Sequence, residues 1–232
     1  MIPFWNTEFT EAEALAVANA IRNRKISQGD LTELLEKEIA ELLGIKHVVM
    51  VTSGSMALTL AMMVLEIGLG DEVIIPDRTW IATAHAVINA GATPIVVDTE
   101  VDRPVMSVES MEKAISEKTK AIIPVHMNGR GVDMEKVIGI AEAKNIKIVE
   151  DAAQAFMSKH KGKYLGTYGD IGCFSLSMAK LISTGQGGFI VTNSGELNTR
   201  IRRMRTHGVS STFEPERWDM KGGNFRYTEL PF

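Results

Sequence analysis

Apolar residues change their period along this chain, and the change divides it into two kinds of segment. Thr10 to Arg22 is polar at its start and alanine-rich after it, with Thr10 and Glu13 spaced as a capping box, so a helix is predicted there. Leu31, Leu34, Leu35, Ile39, Leu42 and Leu43 fall at helical spacing and predict a second, amphipathic helix. Beyond it, short runs that are apolar almost throughout appear at His47–Val51, Glu72–Ile75, Pro94–Val97, Ala121–Val125 and Ile146–Val149. Helical segments separate them, at about Met56–Glu66, Thr79–Ala90, Ser107–Glu117 and Asp133–Ala143.

Strands that are apolar on both faces belong to a parallel sheet covered on both sides. Their alternation with helices predicts a doubly wound α/β domain. After Asp151 two further runs, Ile171–Phe174 and Gly188–Thr192, follow without long helices between them, which predicts antiparallel or hairpin-like completion of the sheet. Ser194 to Thr206 reads as a helix capped by Ser194. Gly222 to Leu230 looks like the opening of another helix, and the chain ends at Phe232, so the expectation is a chain cut short. No linker, low-complexity segment or internal repeat interrupts the pattern.

The 232 residues suffice for one large domain, and 45% hydrophobic with 23% charged residues is ordinary globular composition. A net charge of −4 gives no basic footprint for nucleic acid, and the local run from Arg200 to Arg205 is read as the solvated face of a helix. Cys173 is the sole cysteine and lies in an apolar run, so it reads as a small buried hydrophobe rather than a nucleophile. No apolar run approaches the roughly 20 residues of a membrane span, and the N-terminus lacks a signal-peptide layout; a cytoplasmic protein is the expectation. His47, His85, His160 and His207 show no metal-ligand spacing, so no metal is expected; Trp5 and Trp218 read as packing residues.

Three segments could carry chemistry. Thr52-Ser53-Gly54-Ser55-Met56 follows a strand and opens a helix, so its backbone N–H groups form a ready anion site; a plain capped turn is the simpler alternative. It is neither a Walker loop nor a dinucleotide fingerprint. Glu150 and Asp151 end a strand, where α/β sheets place ligand-binding residues; an N-cap role for Asp151 is the plainer reading. Lys180 follows the apolar run Ile171–Phe174 and precedes a glycine-rich turn; a solvated surface charge is the plainer reading, and partial desolvation beside a sheet end would suit it to imine chemistry. His126, at a strand end, is a candidate for substrate contact.

In this order, the three segments resemble the DegT/DnrJ/EryC1/StrS family of pyridoxal-phosphate (PLP) sugar aminotransferases. Asp77 to Ala84, Asn89 to Pro94, Pro124-Val125-His126, Gly166 to Asp170 and His207-Gly208 support the likeness, which runs from about Phe4 to the last residue. The resemblance implies a PLP-transferase large domain, a three-layer α/β/α fold with a mostly parallel sheet. It divides the chain into an N-terminal arm and helix at 1–30 and the PLP-binding domain at 31–232, without the family's C-terminal small domain. Its cofactor would be pyridoxal 5'-phosphate and its reaction amination of a nucleotide-linked keto-deoxysugar, with L-glutamate as donor, in polysaccharide or lipopolysaccharide biosynthesis.

Residue by residue, the resemblance makes Lys180 the Schiff-base lysine and proton shuttle, and Asp151 the partner of the pyridinium nitrogen. Gln154 would contact the ring hydroxyl, and Trp80 would stack on the ring. Ser55, the Met56 backbone and Ser175 would form the phosphate cradle. Asn224 would reach the phosphate of a neighbouring subunit, so a homodimer with shared active sites is implied. Ser55 stands where threonine is usual, Ser177, Met178 and Ala179 replace His/Pro/Thr-like residues, and Gln186 replaces a common glutamate. Two alternatives remain: a truncated, non-catalytic domain, and a sugar dehydratase, against which Lys180 counts because those members carry histidine there.

Overall fold

The computed structural model describes residues 7–208 and 222–227. Helix α1 (Glu11–Arg22) carries the expected capping box: the Thr10 side chain takes a first-turn N–H and Glu13 reaches back to the Thr10 N–H. Helix α2 (Asp30–Leu43) ends at Gly44 in the left-handed conformation. There follow β1 (His47–Val51), α3 (Gly54–Val64), β2 (Glu72–Pro76), α4 (Ala82–Asn89), β3 (Thr93–Val97), α5 (Val108–Lys113) and β4 (Thr119–Ile122). Next come α6 (Met134–Ala143), β5 (Lys147–Asp151), a small hairpin of β6 (Lys159–His160) and β7 (Lys163–Tyr164), β8 (Ile171–Ser175), β9 (Gly188–Thr192) and α7 (Gly195–Arg205).

Seven strands form one sheet in the order β1-β9-β8-β5-β4-β2-β3. All pairings are parallel except those of β9, which runs against both β1 and β8. The antiparallel finish predicted after Asp151 is therefore one reversed strand between two forward ones. Alternate strand residues feed two apolar layers. Val49, Val51, Val73, Ile75, Val149 and Ile190 pack under α3, α4 and α7, while Val48, Met50, Ile74, Ile122, Ile148 and Phe189 face α2, α5 and α6. That is the three-layer α/β/α arrangement, and it explains why the strands read as continuous apolar runs.

The differences from the sequence reading have local causes. Strand β4 stops at Ile122, short of Val125, because Pro124 has no N–H to give; pairing resumes only as a bridge between Val125 and Asp151. Strand β3 is an edge strand with a single buried residue, Val97, so it is not covered on both faces. The β6–β7 hairpin was not foreseen, since two-residue strands carry no period. The Arg200–Arg205 run is helical but not simply solvated: Arg205 is buried and bonds Glu36 at 3.0 Å. Gly222 to Tyr227 is extended rather than helical, with bridges from Asn224 to Thr206 and from Arg226 to Val51; Thr228–Phe232, Trp5 and Trp218 lie outside the described residues. Cys173 is buried as expected, and burial pushes its thiol pKa up.

Candidate active site

The forward strands of the sheet deliver their C-terminal ends to one side, and a cleft of about 840 Å³ opens there. Ser53, Gly54 and Ser55 come from the β1–α3 turn, Thr79 and Trp80 from the segment after β2, and Met127 and Asn128 from the segment after β4. Asp151 ends β5 and Gln154 follows it, while Ser175 ends β8 and Ser177 and Lys180 follow it. Of the residues singled out in the sequence, Ser55, Trp80, Asp151, Gln154, Ser175 and Lys180 line this one cleft.

The α3 N-terminus sits close against the end of β8 and the start of β9 because glycine stands at Gly54 in α3 and at Gly188 in β9. A Cβ on Gly54 would lie 2.8 Å from Ser175 Cβ, and one on Gly188 would lie 2.6 Å from the Gly54 nitrogen. The first-turn N–H groups of Gly54 and Ser55 have no partner one turn back in the helix, so they face the cleft with the positive end of the helix dipole behind them. The Met56 N–H is taken by the Ser53 side chain at 3.1 Å, and Met56 does not line the cleft. Gly54, Ser55 and Ser175 line this end of the cleft.

Asp151 is buried, and desolvation raises its carboxyl pKa against the opposing effects of two hydrogen bonds and of the His126 and Lys180 charges. Thr83 donates to Oδ2 at 2.8 Å and the Ala153 N–H donates to Oδ1 at 3.1 Å. Lys180 is half-buried; withdrawal from water lowers its pKa, opposed by the charge of Asp151. The cleft thus holds a carboxylate and an amine, each shifted toward its neutral form by burial and toward its charged form by the other. They are the only ionisable side chains among its lining residues.

Gln154 is oriented by backbone. Its Oε1 accepts from the Asn128 N–H at 3.0 Å, at a turn where Asn128 has φ of 53°, so the Gln154 amide is left with its NH₂ donors free. Trp80 is 72% exposed at the cleft mouth. His126, the candidate for substrate contact, does not reach the cleft: it is fully buried and its Nε2 lies 2.8 Å from Glu150 Oε2. Asn224 is exposed, bonded to Arg226, and also outside this cleft.

Three contributors escaped the sequence reading: Thr83, which reads as an ordinary helical residue; Asn128, which acts through its backbone; and Tyr227. The last is 2% exposed and packs against Gly187, where an added Cβ would meet its ring at 2.8 Å, so it backs the loop carrying Lys180. Elsewhere, Asp133, Glu135 and His160 bring ligand-type atoms within 4.8 Å of one another, a grouping that sequence spacing did not suggest. Lys136 and Lys161 already pair its two carboxylates, at 3.3 and 2.6 Å.

Residues 7–231 match the DegT/DnrJ/EryC1/StrS aminotransferase family. The chain belongs to this family. It is 39% identical over 231 residues to a GDP-perosamine synthase of Escherichia coli O157:H7, covering 99% of this chain and 63% of that one. It is 43% identical over 203 residues to a UDP-N-acetyl-3-dehydro-alpha-D-glucosamine 3-aminotransferase of Acidithiobacillus ferrooxidans, covering 87% of this chain and 54% of that one. A solved structure from Streptococcus pneumoniae, described as a sugar aminotransferase in its PLP-form, superposes with a TM-score of 0.93 at 30% identity, covering 99% and 64% of the two chains. The family member therefore spans less than two thirds of the length of these relatives.

Proposed function

We propose that the chain forms the cofactor-binding part of a PLP-dependent aminotransferase that aminates a nucleotide-linked keto-deoxysugar, with L-glutamate as amino donor. The observation that carries the reading is Lys180 and Asp151 in one cleft, each partly withdrawn from water and each the other's counter-charge. Around them the residues fit pyridoxal 5'-phosphate part by part. Gly54, Ser55 and Ser175 match a phosphate, Asp151 a ring cation, the free Gln154 NH₂ a ring hydroxyl oxygen, and the exposed Trp80 indole a ring face. When bound, the cofactor supplies an electron sink that allows an amino group to leave one substrate and join another.

The protein's own groups divide the remaining work. Lys180, whose burial favours the neutral amine, would hold the cofactor through its amine and would be placed to take and return a proton. Asp151 would pair its charge with a ring cation, and Trp80 would shield the ring from water. The two relatives carry different nucleotides in their names, GDP and UDP, so the acceptor class here is a nucleotide-linked keto sugar.

A homodimer with shared sites belongs to the same proposal. Helix α1 buries only Ala20 while Leu15 and Ile21 stand exposed, and Met178, Leu181 and Ile182 leave an apolar rim at the cleft mouth. Thr7 donates to the Met178 carbonyl at 3.2 Å, tying the arm to that rim. Asn224, outside its own cleft, is left for the partner's phosphate. We assign residues 1–30 to the arm and helix and 31–232 to the cofactor-binding domain. A cytoplasmic setting suits nucleotide-linked substrates, and neither nucleic acid nor membrane is a partner in this reading.

The purified chain is expected to turn yellow with PLP, and Lys180→Ala to stay colourless. A wild-type chain that takes up no PLP sinks the proposal. Amine transfer from L-glutamate to GDP- and UDP-linked keto sugars tests the substrate class.

A further inference from the structure

Thr83 is fully buried in α4, and its hydroxyl lies between a carboxylate and a second hydroxyl. It donates to Asp151 Oδ2 at 2.8 Å and is 2.7 Å from the Thr79 hydroxyl, which lines the cleft beside Trp80. The Thr79 hydroxyl also has the Trp80 carbonyl 3.4 Å away. Each hydroxyl carries one proton and two lone pairs, so the order of donation along this row is fixed by its ends. With Asp151 ionised, Thr83 must donate to the carboxylate, and Thr79 must then donate to Thr83. With Asp151 protonated the row can reverse: the carboxyl donates to Thr83, Thr83 to Thr79, and Thr79 to the Trp80 carbonyl. In both orders every proton has an acceptor.

We propose that Thr83 and Thr79 form a reversible hydroxyl relay that holds the Asp151 carboxyl group in both charge states and favours the ionised one. Thr83 is a positioning residue in this scheme, acting through Asp151. The inference rests on the proposed cofactor site for its consequence but not for its geometry. A buried carboxylate without such donors is driven toward its neutral form, in which it cannot pair with a ring cation. Thr83 is the one side chain hydrogen-bonded to Asp151 among the described residues. The other groups that act on it are the Ala153 N–H and the charges of His126 after β4 and Lys180 after β8; Glu150 and Cys173 are the ionisable neighbours on β5 and β8. The relay also fixes what the cleft sees, since Thr79 presents a lone pair when Asp151 is charged.

The test uses the whole chain with and without PLP. In cofactor-free protein, carbon-13 labelled aspartate gives a carboxyl titration for Asp151, identified by its loss in Asp151→Asn. Thr83→Val, which exchanges the hydroxyl for a methyl at nearly constant volume, should make Asp151 titrate at higher pH than in wild type, and Thr83→Ser should restore it. PLP affinity, read from absorbance at neutral pH, should fall about tenfold in Thr83→Val, the worth of one hydrogen bond to a charged group, and recover in Thr83→Ser. Thr79→Val should move both readouts in the same direction by less, and carries the test if Thr83→Val does not fold. A folded variant whose Asp151 titrates as in wild type overturns the relay. If wild type takes up no PLP, the cofactor reading fails, while the titration still decides whether the relay exists.

Discussion

His126 Nε2 lies 2.8 Å from Glu150 Oε2, and both side chains are wholly shielded from solvent. Glu150 also accepts the N–H groups of Gly166, Tyr168 and Gly169 at 2.6–2.8 Å. One carboxylate thus ties the segment after β4 to the loop before β8, directly behind Asp151. Glu150→Ala would leave those buried donors without an acceptor, and we expect a loss of about 3–5 kcal/mol in urea unfolding. Glu150→Gln should lose less, because one amide oxygen can still accept, and a result equal to the alanine variant would show that charge rather than shape matters there.

The close approach of α3 to β8 gives a second prediction. Gly54→Ala places a methyl carbon 2.8 Å from Ser175 Cβ, so the helix start must lift away from the serine. Overpacking of this kind costs about 1–3 kcal/mol. The expected result is a modest drop in melting temperature with a larger loss of PLP uptake, because the proposed phosphate site spans both elements. Unchanged PLP affinity would place the phosphate elsewhere.

Helix α2 supplies a third. Strand β1 is the sheet edge beyond β9, and Glu36 closes it by accepting the Met50 N–H at 2.9 Å. Arg205 and Arg202 bind the same carboxylate at 3.0 and 2.8 Å and donate to the carbonyls of Met50 and Val48. Glu36→Ala should cost about 3–5 kcal/mol by stranding the buried Arg205. Arg202→Ala, with its guanidinium more exposed, should cost about 1 kcal/mol or less. Chemical denaturation of both variants side by side checks the ratio.

Asp151 sets function against stability. Its pKa is raised in the cofactor-free fold, first by desolvation, above that of the unfolded chain. Between the two values the folded protein keeps a proton that the unfolded chain has released, so stability falls as pH rises through that window and the cost is complete above it. Asp151→Asn should therefore melt higher than wild type at neutral pH without PLP, with the difference shrinking in acid, while PLP uptake is lost. A lower melting temperature at neutral pH would contradict this.

Much of the site was legible because a parallel sheet sorts chemistry by position. Asp151, Lys180, Ser175 and the Ser53–Ser55 turn each follow an apolar run, and parallel strands send such residues to one end. Helix starts at Thr10, Ser107 and Ser194 were legible too, since a cap is a local device. What stayed hidden depends on partners remote in the chain. Nothing local marks Thr83 as the donor to Asp151, Asn128 as the clamp on Gln154, or Arg205 as the mate of Glu36. His126 misled for a related reason: a strand-end histidine looks like a ligand contact until the acid that buries it is found.

The reversed strand β9 also bears on how this protein can vary. Because β9 pairs with β8, with Ser175 opposite Gly188, the segment carrying Lys180 is a hairpin loop closed by a ladder of hydrogen bonds. Its base is fastened again by the Leu176 N–H to the Gly187 carbonyl at 2.8 Å and the Thr184 N–H to the Leu176 carbonyl at 3.0 Å. Ser177, Met178, Ala179 and Gln186, four of the five positions singled out in the sequence as departures from the family pattern, lie inside that closed loop, and Ser55 at the start of α3 lies outside it. Such a loop can change in sequence while its two ends keep the lysine in place, without any rebuilding of the sheet.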